Sequence, residues 1–186
     1  MDQTSFTVGT SLLEIIRGDI TKQDTDVIVN AANKRLAPGG GVAGAIHRAA
    51  GPELWAECQK IGGCETGEAK ITGGYRLAAR HVIHTVGPVF NNTPQNAKDL
   101  ESCYLNSLRV ARDNSIKSIA FPAISTGIFG YPLEEAAEVS LRAVIKFLQE
   151  NTKPELVRFV LFGANDFQVY QENLQRIVEE LENQGN

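Results

Sequence analysis

The sequence predicts a three-layer α/β/α domain built on a mixed, mostly parallel central sheet. Two observations carry this. Short apolar, β-branched runs alternate along the chain with amphipathic helical stretches, the order that builds βαβ units. Several of those runs are apolar throughout rather than alternating, as strands buried on both faces must be. At 186 residues the chain is long enough for one domain with its own core, and no repeat, low-complexity linker or composition shift divides it. The reading is one domain over 1–186.

The elements follow in order. Residues 12–16 form an apolar strand that ends at Gly18-Asp19, and Val27-Ile28-Val29 is a second, bounded by Asp26 and Asn30. A loop of small residues, 31–41, leads into a helix over 42–50, and Pro52 suits the first turn of another helix running to Ile61. Residues 68–72 and 81–85 read as strands around a Gly-Gly-Tyr bend. Over 96–114, Leu100, Tyr104, Leu108 and Ala111 share one helical face. A short buried strand covers 118–122, and Pro132 opens a helix to Glu150. Residues 156–162 are the last strand, after which Asp166 is read as the cap of a final helix with Val169, Leu174 and Ile177 inward. Residues 182–186 read as a polar tail, and the stretch before residue 12 carries no visible motif.

Composition narrows the function. Hydrophobic residues make up 42% and charged residues 22%, with a net charge of −4. That balance lacks the basic footprint of a duplex-binding protein and argues against nucleic acid as a partner. No apolar run approaches the ~18–20 residues that span a bilayer, and the first residues, Met-Asp-Gln-Thr-Ser, lack the pattern of a signal peptide. Cys58, Cys64 and Cys103 are an odd set with no Cys-x-x-Cys, which reads as free thiols in a reducing compartment. A cytoplasmic monomer without membrane attachment, metal or cofactor is expected.

In parallel α/β sheets ligands sit outside the carboxyl ends of the strands. The segments there are 18–21, 30–41, 85–88, 125–131 and 163–166. Residues 38–44 read Pro-Gly-Gly-Gly-Val-Ala-Gly before a helix start. Consecutive glycines leave N–H groups bare at a helix N-terminus, an anion cradle aided by the helix dipole. Ser125-Thr126-Gly127-Ile128-Phe129-Gly130 is a second such loop. The two together suit a diphosphate gripped by backbone donors.

Other chemistries fit poorly. Gly39, Gly41 and Gly44 satisfy a lone Gly-x-Gly-x-x-Gly, but nine residues (30 to 38) separate Val29 from Gly39 and no acid follows at the dinucleotide spacing. Gly67 is followed by Glu68, so there is no Walker motif. Ser125 lacks the glycine a nucleophile elbow requires. His81 and His84 face opposite sides of a strand and make a poor metal pair. His47 reads as a helix-surface or packing histidine, and the cysteines as structural.

The asparagines stand apart, since an amide offers donors and an acceptor for ribose hydroxyls. Asn33 is assigned to ligand contact and Asn30 to the loop backbone ahead of ligand contact. Asp19 has two readings, acceptor for an exocyclic amine or helix cap before Thr21. Phe162 likewise either stacks on a base or is core.

Gly18-Asp19-Ile20-Thr21, Val29-Asn30-Ala31-Ala32-Asn33, Gly39-Gly40-Gly41-Val42 and the run from Ala123 to Pro132 together resemble a macrodomain, in order and over nearly the whole chain. His47 to Pro52, Cys64 to Ala69 and His84 to Pro88 look like its MacroD-type branch. The resemblance implies ADP-ribose or ADP-ribosylated proteins as partners. It also implies hydrolysis of the ester between ADP-ribose and an acidic side chain, or of O-acetyl-ADP-ribose. By position, Asp19 would accept from the adenine amine beside the Ile20 N–H, and Phe162 would stack on adenine. Gly40, Gly41 and Val42, with Ser125, Thr126, Gly127, Ile128 and Phe129, would hold the diphosphate and distal ribose. Asn33 would orient the distal ribose as the catalytic residue. One position departs: the MacroD-type pattern carries Asp where Ala43 stands. The loop is there similar to that of viral macrodomains, whose activity is explained by a water held on the ligand's own phosphate. Ala43 therefore implies either weakened hydrolysis or a reader of ADP-ribose without turnover.

Overall fold

The computed structural model describes residues 2–185. Seven strands form one sheet in the order β1-β2-β7-β6-β3-β5-β4: β1 (Gln3–Val8), β2 (Ser11–Arg17), β3 (Val27–Ala31), β4 (Ala69–Gly73), β5 (His81–Thr85), β6 (Ser118–Phe121) and β7 (Leu156–Leu161). The five inner strands are mutually parallel, and β1 and β4 close the two edges antiparallel. The mixed, mostly parallel sheet is thus as the sequence predicts.

Period-2 alternation splits the core in two. Val27 and Val29 of β3 face one cluster with Ile83, Phe121 and Phe159, whereas Ile28 faces the other with Val82, Ala120 and Val160. The first layer is covered by α3 (Pro94–Asp113), α4 (Leu133–Glu150) and α5 (Ala164–Gln184), and the second by α1 (Gly41–Ala50) and α2 (Pro52–Ile61). Both faces of β3 are buried, which explains its unbroken apolar run. Register partners Glu14 and Arg158 join across β2 and β7 as a largely buried ion pair at 2.7 Å.

Three boundaries differ from the sequence reading. Residues 3–8 form β1, turned back on β2 through Gly9-Thr10 with Val8 opposite Ser11. The final helix begins at Ala164 with Gly163 as its N-cap, so Asp166 lies inside the first turn, where its charge complements the helix dipole. The supposed polar tail continues this helix to Gln184; Asn186 lies outside the described residues. No helix among the described residues is long and apolar enough to cross a membrane.

Candidate active site

The parallel strands end on one side of the sheet, so the segments after β2, β3, β5, β6 and β7 converge there. Between them lies a cleft of about 250 Å³. Gly40, Gly41 and Val42 form one wall, Ser125, Gly127, Ile128 and Phe129 the other, and Ala31, Ala32 and Gly87 lie between. Among the described residues no charged side chain lines it, so recognition there falls to the backbone.

The first wall is the N-terminus of α1. Gly40 is its N-cap, in extended conformation and without a side-chain hydrogen bond. The first inward bond is Gly44 N–H to Gly40 O at 3.1 Å. The amides of Gly41, Val42 and Ala43 make no hydrogen bond among the described residues, the usual condition of a first turn and the basis of anion binding there. Gly44 is required by close approach, because a Cβ would collide with the Gly39 carbonyl oxygen. Asn33 shapes the loop from within. Its Nδ2 donates to Ala37 O and its Oδ1 accepts from Ala37 N–H, each at 2.9 Å. The Asn33 amide lies beside Gly39 and does not line the cleft. Ala43 is buried against the same loop.

The second wall curls on itself. Tyr131 N–H donates to Ser125 O at 2.9 Å and Gly130 N–H to Gly127 O at 3.0 Å. Thr126 turns its hydroxyl back onto Ala123 O at 2.9 Å, so its side chain is used within the loop. The amides of Gly127, Ile128 and Phe129 make no hydrogen bond among the described residues. Ser125 is buried, holds a left-handed φ of 67°, and leaves its Oγ unpartnered. Its neighbour Gly87 admits nothing larger, since a Cβ there would collide with Ser125 Oγ. A non-glycine residue in that region is uncommon, and such strain gathers at ligand sites.

A second, wider concavity of about 750 Å³ holds Asp19 and Phe162, with Arg17, Lys22, Asp2 and Gln3 around them. The cap reading of Asp19 is the one the structure bears out. Its Oδ1 accepts from Thr21 N–H at 2.9 Å and Thr21 Oγ1 at 2.7 Å, capping a short 3-10 helix over Ile20–Lys22. Its Oδ2 has no partner among the described residues. The Thr21 hydroxyl and amide hold the Asp19 carboxyl below its ordinary pKa. The Ile20 side chain is buried while its N–H makes no hydrogen bond among the described residues. Phe162 is 83% exposed, which removes it from the core.

Behind the cleft the structure corrects the reading of Asn30. Its side chain serves neither loop backbone nor cleft; Nδ2 meets His84 Nδ1 at 3.0 Å, and Oδ1 is buried without a partner. A strand-end asparagine points into the layer beneath α1, and His84 supplies the acceptor there. His47 packs in that layer, its ring centroid 6.5 Å from those of Trp55 and His84. Burial pushes the Cys58, Cys64 and Cys103 thiols up to about 11, consistent with structural roles.

The sequence puts segments 30–41 and 85–88 at the right end of the sheet but does not single out Ala31, Ala32 or Gly87 as cleft residues. Asp2 and Gln3 were missed because β1 was. The alternation Phe6, Val8 followed by Gly9-Thr10 is a hairpin signal that reveals it.

The comparisons agree with this architecture. The Macro domain family model matches residues 29–140, from the middle of β3 into α4. The chain is 55% identical over 161 residues to the ADP-ribose glycohydrolase MACROD2 of Xenopus laevis, covering 85% of this chain and 38% of that protein. It is 51% identical over 167 residues to a macro domain-containing protein of Methanosarcina mazei, covering 89% of each. Among solved structures, the Oceanobacillus iheyensis macrodomain with ADP superposes with a TM-score of 0.93 at 47% identity, covering 96% of this chain and 97% of that one. The Trypanosoma brucei macrodomain in complex with ADP-ribose gives 0.82 at 43%, covering 86% and 68%. With fold and sequence in agreement over most of its length, the chain belongs to the macro domain family, alongside the MacroD proteins.

Proposed function

We propose that this chain binds ADP-ribose and hydrolyses mono-ADP-ribosyl esters on acidic side chains, releasing ADP-ribose and the free carboxyl group, with O-acetyl-ADP-ribose as a further substrate. The observation that carries this reading is the pair of opposed walls of one uncharged cleft, whose lining residues Gly41, Val42, Gly127, Ile128 and Phe129 have amides with no hydrogen bond among the described residues. A diphosphate between them meets backbone donors on both sides. Adenine lies in the wider concavity, its amine on Asp19 Oδ2 and its ring on Phe162. The distal ribose lies toward Asn33, whose clasp on Ala37 leaves one amide hydrogen and one oxygen lone pair unused.

In this mechanism the protein supplies position and the substrate supplies the base. Water held on a phosphate oxygen attacks the ribose carbon that bears the ester, that carbon's bond to the carboxylate oxygen breaks, the carboxylate leaves, and the water proton passes through the phosphate to solvent; on O-acetyl-ADP-ribose the water attacks the acetyl carbon, the ribose oxygen leaves, and the same proton passes to it. Proximity of this kind is worth several orders of magnitude in rate. The relatives named ADP-ribose glycohydrolase support hydrolysis. Because the chain spans 38% of the MACROD2 protein, its acceptor preference rests on the cleft alone.

Ala43 favours a second reading, a reader that binds without turnover, since no carboxylate stands at the third residue of α1. Release of ADP-ribose from a protein modified on glutamate or aspartate, against a no-enzyme control, separates the two. Release catalysed by this chain supports hydrolysis with Ala43 in place; binding of ADP-ribose without release establishes the reader. Ala43→Asp then shows whether this one position limits turnover.

A further inference from the structure

A hydrogen-bonded chain crosses three strands beneath the cleft. Asn30 ends β3 as the register partner of His84 in β5. Asn30 Nδ2 lies 3.0 Å from His84 Nδ1, and His84 Nε2 lies 2.9 Å from Thr72 Oγ1 of β4. The Thr72 hydroxyl donates onward to Gly73 O at 3.1 Å. An amide nitrogen carries only hydrogens, so His84 Nδ1 is the acceptor and His84 is the Nε2–H tautomer. One run of donors then leads from Asn30 through His84 and Thr72 to the Gly73 carbonyl, with Cys58 Sγ a further neighbour of His84 Nε2 at 3.9 Å. All three side chains are buried, and burial beside His47 holds His84 neutral, with a pKa of about 3.

An apolar trio would fill this layer at lower cost, since Asn30 Oδ1 remains buried and unpartnered. What the polar chain provides is geometry. The residues after Asn30 are Ala31 and Ala32, and three positions after His84 comes Gly87; all three line the cleft. Ala32 N–H is itself tied to Thr85 O at 2.9 Å. We infer that His84 is a positioning residue: held between Thr72 and Asn30, it locks the carboxyl ends of β3 and β5 together and so fixes the spacing of Ala31 and Ala32 from Gly87. Gly87 in turn carries Ser125 and the second wall. The inference rests on the ADP-ribose reading of the cleft.

The test uses the whole chain labelled with 15N. Wild type is expected to show His84 with Nε2 protonated and Nδ1 bare from pH 8 to pH 5; a protonated Nδ1 overturns the inference. His84→Leu keeps the layer filled but removes the bonds to Asn30 and Thr72. It is expected to shift the Ala31, Ala32 and Gly87 amide resonances and to weaken ADP-ribose binding at least tenfold while the protein stays folded. Thr72→Val, which removes only the far bond, covers the case in which His84→Leu fails to fold, and is expected to keep the Nε2–H tautomer that Asn30 sets while moving the same amides. If wild type binds ADP-ribose and His84→Leu binds equally well, the inference is overturned. If wild type binds no ADP-ribose, the functional reading falls instead, and unmoved cleft amides in the variants overturn the positioning role separately.

Discussion

Asn33 holds Ala37 at both ends of its amide, Nδ2 to the carbonyl and Oδ1 to the N–H, each at 2.9 Å. The residue assigned to the distal ribose is therefore also the clasp of the loop that carries Gly40 and Gly41. Asn33→Ala is expected to reduce ADP-ribose release by ~10²-fold or more, in the range for losing a group that acts in the transition state, and also to lower affinity because the loop opens. Calorimetry beside single-turnover release checks this. Unchanged affinity with lost turnover assigns Asn33 to chemistry alone, and unchanged turnover removes it from the site.

Asp19 divides its carboxylate, with Oδ1 on Thr21 and Oδ2 free. Asp19→Asn retains an acceptor for the cap but sets an NH2 group against the adenine amine. Affinity for ADP-ribose is expected to fall by about 1–3 kcal/mol, the cost of an unpaired buried polar group, with little change in melting temperature. Asp19→Ala is expected to lose the cap as well, at ~1 kcal/mol of stability. Equal ADP-ribose affinity in Asp19→Asn and wild type contradicts the adenine contact.

Gly87 lies against Ser125 Oγ and Ile124 Cγ2 with no room for a Cβ. Gly87→Ala is expected to push the second wall outward, lowering stability by ~1–3 kcal/mol as overpacking does and weakening ADP-ribose binding. Thermal denaturation and calorimetry on one preparation measure both. Undiminished binding shows that the second wall does not depend on this contact.

Stability is expected to fall with acid before any carboxylate titrates. His84 is buried neutral, with its pKa lowered from 6.5 to about 3, and burial lowers His47 as well. The unfolded chain takes up protons below pH 6.5 that the folded chain refuses, so stability is full above about pH 7 and declines as pH drops from 6.5 toward 3. At about 1.4 kcal/mol per pH unit the His84 share reaches roughly 3 kcal/mol by pH 4. Urea denaturation at pH 7, 5.5 and 4 measures the slope, which His84→Leu is expected to flatten. A midpoint independent of pH over this range contradicts neutral burial.

The sequence carried the sheet and the two glycine loops because both are local signals. A buried parallel strand such as β3 is apolar throughout, and an anion cradle needs glycines at a helix start. It did not carry contacts made across the sheet. Nothing near Asn30 in the chain announces His84, 54 positions away, and nothing near Gly87 announces Ser125. Asp19 is ambiguous in sequence for a different reason: its carboxylate has two oxygens, one of which caps a turn while the other has no partner among the described residues, so the cap does not use up the side chain. Phe162 is undecided in sequence because a strand-end aromatic is equally consistent with core and surface, and only the fold leaves it bare.

The assignment of the cleft stands or falls on titrating the 15N-labelled chain with ADP-ribose and following the backbone amides. Saturable shifts concentrated at Gly41, Val42, Gly127, Ile128 and Phe129, with a second group at Asp19 and Ile20, are the predicted result. Absence of saturable binding, or shifts confined to another surface of the domain, contradicts it.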